Sequence, residues 1–159
     1  MRTLLVILFL VAAICQANVQ AKISEPSIDK ETVRKAILIF RQTPLNQQGS
    51  MVRPLILRFA RESPAVEIVV SSKAMPWIGS AKLDSDNREA LLIAYVAGDV
   101  QSQLTKRRTK DDPVAGTEQV IATYRQLQQA QPRLRSAEVE KLIDLQKQGK
   151  LANYLTTAR

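Results

Sequence analysis

The chain has 159 residues, with 23 Lys and Arg against 15 Asp and Glu, one cysteine and no histidine, for a formal net charge of +8. That length suits one domain with a sizeable core. The missing imidazole excludes serine triads, and with only one thiol the chain has no disulfide framework and no zinc site built on His or Cys.

The N-terminus reads as a targeting segment. Met1-Arg2-Thr3 is a short positive head, Leu4 to Ile14 is unbroken apolar sequence, and Val19-Gln20-Ala21 supplies small residues for a signal peptidase. So short an apolar run falls well below the roughly 20 residues that span a bilayer. The pattern predicts a cleaved signal peptide over 1–21 and one helical domain over 22–159. Ile14 stands before Cys15 where a lipoprotein signal places a small residue, so free export is expected rather than acylation or a retained anchor. A signal followed by a chain without thiols points to a bacterial periplasm, with secretion as the other destination. Losing Arg2 with the leader leaves 22 basic residues against 15 acidic, a balance that attracts anionic surfaces.

Helical periodicity then takes over. Asp29 is placed to cap a helix whose apolar face is Val33, Ala36, Ile37 and Phe40, ended by Thr43-Pro44. A second helix is expected over about Ser50 to Glu62, with Val52, Leu55, Ile56 and Phe59 inward and Pro54 in its first turn. Ser63-Pro64 is a good helix start. The β-branched run after it, Val66-Glu67-Ile68-Val69-Val70, argues instead for a strand. No other segment alternates well enough to pair with such a strand, so a short helix is the expectation, and the other outcome is a strand paired with another subunit. Met75-Pro76-Trp77-Ile78-Gly79 reads as a turn that tucks the only tryptophan inward.

Asp86 followed by Glu89 is a capping-box pattern for the longest helix, which runs to about Arg107. Its middle, Ala90 to Ala97, is apolar on every side and extends only about 12 Å, which fits a helix covered by neighbours and not a membrane span. Ala90, Ala94 and Ala97 or Gly98 form a small-residue stripe for close helix packing. Asp112-Pro113 opens another helix, carrying Val114, Val120, Ile121, Tyr124 and Leu127. Ser136 opens a third, carrying Val139, Leu142, Ile143 and Leu145, with Gly149 as its cap, and Leu151 to Leu155 forms a last turn. The fold class expected is all-α: a small irregular bundle of about six helices.

Few residues suggest chemistry. Asp99 ends the apolar run, and with Glu89 it is the candidate for carboxylate catalysis, Asp84 and Asp86 being further acids along the chain. The candidate contact residues are Trp77 and the basic cluster Lys106, Arg107, Arg108 and Lys110, with Arg133 and Arg135 adding charge if the fold brings them near. Helix dipoles are the favoured explanation of the same cluster, since cations end one helix and Asp111-Asp112 start the next. No aromatic residue interleaves the cluster, so specific nucleic-acid binding is not expected. There is no phosphate loop, no calcium-loop spacing and no nucleophile elbow, so no cofactor or metal is expected. The sequence favours an exported, non-enzymatic binding protein with a basic surface, meeting an anionic envelope surface or an acidic protein. The alternatives are a carboxylate-only hydrolase acting on cell-wall polysaccharide, and a self-associating structural subunit that buries Ile68-Val69-Val70.

Overall fold

A computed structural model describes residues 27–157, so the leader expected over 1–21 lies outside the described residues. Those described form a small all-α bundle: α1 (Lys30–Gln42), α2 (Gln47–Glu62), a 3-10 turn (Pro76–Gly79), α3 (Ser85–Lys106), α4 (Pro113–Ala130), α5 (Ala137–Lys147) and α6 (Leu151–Thr156), with no strand among them. The caps explain most of these boundaries. Asp29 accepts the Glu31 and Thr32 amides at 2.8 Å each, and Val33, Ala36, Ile37 and Phe40 are buried as their spacing demands. Asp112 caps α4 through the Ala115 amide, and Ser136 caps α5 through the Val139 amide. The end of α5 is a Schellman turn. Gly149 stands at φ +68°, its N–H donates to Gln146 O, and the Lys150 N–H donates to Leu145 O at 2.9 Å.

Three segments differ from expectation. α2 starts at Gln47, because the Asn46 side chain accepts the Gly49 amide at 2.9 Å, and Pro54 therefore lies within the helix on its exposed side. Its inward positions are Gly49, Arg53, Ile56 and Phe59, while Leu55 is exposed. Arg53 is accepted inside because its guanidinium donates to Pro44 O at 2.7 Å and pairs with Glu89 at 3.2 Å. α3 is capped by Asp84 rather than Asp86. The Asp84 carboxylate accepts the Asn87 main-chain N–H at 2.7 Å and the Asn87 side-chain N–H at 2.8 Å, while Glu89 pairs with Arg53 instead.

The third difference is the β-branched run. Ser63 ends α2 instead of opening a helix, with its N–H on Phe59 O at 2.9 Å and its backbone already extended. Val66 to Val70 form neither helix nor paired strand. The objection to a lone extended segment was its unpaired backbone, and side chains from α3 and from the turn after it supply the missing partners, as described below.

α3 is the axis of the bundle, with twelve of its 22 residues buried. It crosses α4 closely at two glycines. A Cβ on Gly98 would fall 2.5 Å from Ala115 O and 2.7 Å from Gln119 Cβ, and one on Gly116 would fall 2.8 Å from the Tyr95 ring. The small-residue stripe of α3 therefore serves backbone approach. Gly98→Ala is expected to lower unfolding free energy by about 1–3 kcal/mol in urea titration, despite the better helix propensity of alanine, because the obstruction is main chain. An unchanged or raised midpoint would show that the crossing is not tight.

Candidate functional site

The polar residues of α3 converge on one place. After Lys106 the helix ends with Arg107 in the left-handed region at φ 52°, and a short turn brings Asp111 and Asp112 back alongside the helix to start α4. Asp99 is fully buried there. Its Oδ1 accepts the Gln103 side-chain N–H and the Asp112 main-chain N–H, both at 2.8 Å. Its Oδ2 meets no N–H donor and faces the carboxyl of Asp111. Two carboxyl groups in contact are compatible only when one carries a proton, and burial selects Asp99 for it. Loss of water pushes the Asp99 carboxyl up to about 7; the Gln103 and Asp112 bonds pull it down and Asp111 adds to the rise.

Gln103 uses its whole amide. Besides donating to Asp99, its Nε2 donates to Glu67 O at 2.7 Å, while its Oε1 accepts the Glu67 N–H at 3.0 Å and the Lys110 N–H at 3.1 Å. One residue on, the Asp111 carboxylate accepts the Val69 N–H at 2.8 Å, and Thr109 Oγ1 donates to Ala65 O at 3.2 Å. Tyr95 Oη approaches Val69 O at 3.5 Å. Ala65, Glu67 and Val69 thus turn their main-chain groups to α3 and its following turn, and side chains take the place of a neighbouring strand.

The basic cluster forms the outer wall. Lys106 Nζ lies 2.6 Å and Arg108 Nη2 3.4 Å from Asp112 Oδ2, which also accepts the Ser102 hydroxyl at 2.6 Å. Burial opposes the charged form of Asp112, yet the Lys106, Ser102 and Ala115 donors outweigh it and hold the carboxyl down at about 2. Arg107 and Lys110 are exposed and their side chains make no ion pair or hydrogen bond with other described residues. Arg133 and Arg135 follow the far end of α4, an 18-residue helix about 27 Å long, so the fold does not add them to the cluster.

The other candidates lie apart. Trp77 is fully buried between α3 and α5, and the exposed residues of its turn are Ile78 and Gly79. Glu89 is exposed and paired with Arg53, about 15 Å along α3 from Asp99. Asp84 is occupied as a cap. Asp99 and Glu89 line none of five surface concavities of about 310–480 Å³. Among the described residues no group of three or more His, Cys, Asp or Glu is placed to hold a metal ion, and no helix is long and apolar enough to cross a membrane. The sequence reading missed Gln103, which looks like any surface glutamine, and Asp111, whose position before Pro113 suggested only a charge for the helix dipole. Comparison with family models, curated proteins and solved structures finds no match.

The cluster predicts an unusual pH response. Asp99 is raised from 3.8 to about 7 in the folded protein, so the folded state keeps a proton that the unfolded chain releases. Stability from this group is full below about pH 4, falls as pH rises toward about 7, and levels off above that. Asp112, held at about 2, acts in the opposite sense: its contribution is present above 3.8 and lost as pH falls toward 2. Asp99→Asn keeps both acceptor bonds and offers an N–H to Asp111 without a charge. It is expected to flatten the melting temperature between about pH 5 and pH 8, and at the upper end to match or exceed the parent by on the order of 1–3 kcal/mol. A variant that keeps the parent's slope would mean that Asp99 is not the group that titrates.

Proposed function

We propose that this is an exported, non-enzymatic protein that holds to an anionic envelope surface through the turn Lys106–Lys110. The observation that carries this reading is the contrast within the turn. Its backbone is fixed from beneath, by the Arg108 N–H on Gln103 O at 3.1 Å, the Lys110 N–H on the Gln103 side chain and the Asp112 N–H on Asp99, while Arg107 and Lys110 project into solvent. A loop pinned to a buried network keeps its charges in place, which lowers the ordering cost of contact. The excess of cations over the whole chain acts in the same direction. Export rests on the leader sequence. A binding role is favoured over carboxylate catalysis because Asp99 is sealed from solvent and its neighbours already use it as a hydrogen-bonding post.

Each cation near an anionic bilayer contributes about 1 kcal/mol, so two free cations backed by two partly neutralised ones give weak, salt-sensitive attachment. The test is co-sedimentation with vesicles containing an anionic phospholipid, against zwitterionic vesicles, at low and high salt. The native chain should bind the anionic vesicles at low salt and release at high salt. Arg107→Glu combined with Lys110→Glu should weaken that binding by about tenfold or more, with an unchanged melting temperature. Equal binding to both vesicle types, or no loss in the double variant, overturns the assignment.

A further inference from the structure

We infer that Val66–Val70 is an open strand edge through which two copies of this chain pair antiparallel about a two-fold axis. The segment shows the alternation of a strand. The Ala65 C=O, both main-chain groups of Glu67 and the Val69 N–H bond toward α3 and the Thr109–Asp111 turn, while the Ala65 N–H turns back to Ser63 Oγ. The N–H and C=O groups of Val66, Ile68 and Val70, which an extended chain directs the other way, make no hydrogen bond with any other described residue. Val66 anchors one end of the edge in the core and Ile68 is half-buried, while Val69 and Val70, 37% and 69% exposed, are large apolar side chains beside its other end. Natural proteins protect such an edge with lysine, proline or a bulge. Between Val66 and Val70 there is no lysine and no proline.

The pattern is its own complement. With Ile68 on the axis, Ile68 exchanges both main-chain bonds with its copy, and Val66 exchanges both with the copy's Val70, so all three N–H and all three C=O groups of each edge are satisfied. Charge selects this occupant over an acidic peptide. The edge itself carries no cation and one acid, Glu67, which would repel an acidic strand. In the two-fold register Glu67 stands opposite the copy's Val69, so the two acids are not juxtaposed. A single paired edge is small for a stable dimer, so the association is weak and reversible. It is independent of the attachment proposed above, since it uses neither Arg107 nor Lys110.

Two measurements decide it, both on the full chain. Light scattering across about 1–500 µM should show monomer passing to dimer, and Val70→Lys, at an exposed position, should raise the dissociation constant by about tenfold or more while leaving the melting temperature unchanged. In a Cys15→Ser background, a mixture of Glu67→Cys and Val69→Cys chains should form the mixed disulfide in excess of either chain with itself, because the register sets 67 opposite 69. A chain that stays monomeric throughout overturns the inference, whether its edge then takes an added acidic peptide or is covered by the residues ahead of Ser27. A dimer insensitive to Val70→Lys, or without the mixed disulfide preference, overturns it as well.

Discussion

One amide group organises this molecule. Gln103 makes four hydrogen bonds, one to Asp99 a turn earlier on α3 and three that join α3 to both main-chain groups of Glu67 and to the Lys110 N–H. Backbone groups taken out of water must be paired, and an extended segment in a helical bundle has no ladder to join. The bundle resolves this with side chains, and the consequence is structural economy: one buried contact fixes a helix, an extended strip and a charged turn together. Removing it would leave the Glu67 groups without partners and free two surface elements at once.

The carboxylates beneath the basic turn show how environment divides like residues. Asp111 and Asp112 are neighbours in sequence, yet one touches a buried carboxyl and an amide while the other meets Lys106, Arg108 and Ser102. Asp99, sealed from solvent, is the group that holds a proton, and its neutral form is the one that suits a contact with Asp111. This pair of acids lies inside, and burial together with the Asp111 carboxyl favours the protonated form of Asp99. Lys106 and Arg108 meet Asp112 at the rim, and Arg107 and Lys110 lie exposed beyond them.

The local part of this arrangement was legible in the sequence. Asp29, Asp112 and Ser136 announce helix starts by residue type, Gly149 announces an end, and the apolar spacing of α1 and α4 identifies the buried faces before any fold is known. Even the close crossing at Gly98 follows from a stripe of small residues in α3. What escaped was the pairing of groups far apart in the chain. Gln103 meets Glu67 across 36 positions and Arg53 meets Glu89 across the same separation, and no spacing rule links them. The Val66–Val70 strip was misjudged for a related reason: its β-branched composition was informative, but the rule that strands need strands left no place for a glutamine and an aspartate acting as one. Trp77 was legible too: a chain with few aromatics is expected to tuck its single tryptophan inward, and Trp77 is fully buried, which removes it as a contact residue.

The core and the exposed corner have a common cause. Asp99 reaches the Asp112 N–H only because α4 begins tightly against α3, and that approach depends on glycine at 98 and 116, where a methyl group would meet main chain or the Tyr95 ring. Tyr95 closes the loop from the other side, covering Gly116 with its ring and approaching Val69 with its hydroxyl. A substitution that separates the two helices would therefore loosen the buried acids, the extended strip and the basic turn in one step, although none of them lies at the crossing. For this fold the sharper functional probes are changes at exposed positions of the corner, because those alter charge or edge chemistry without disturbing the contact that holds the corner in place.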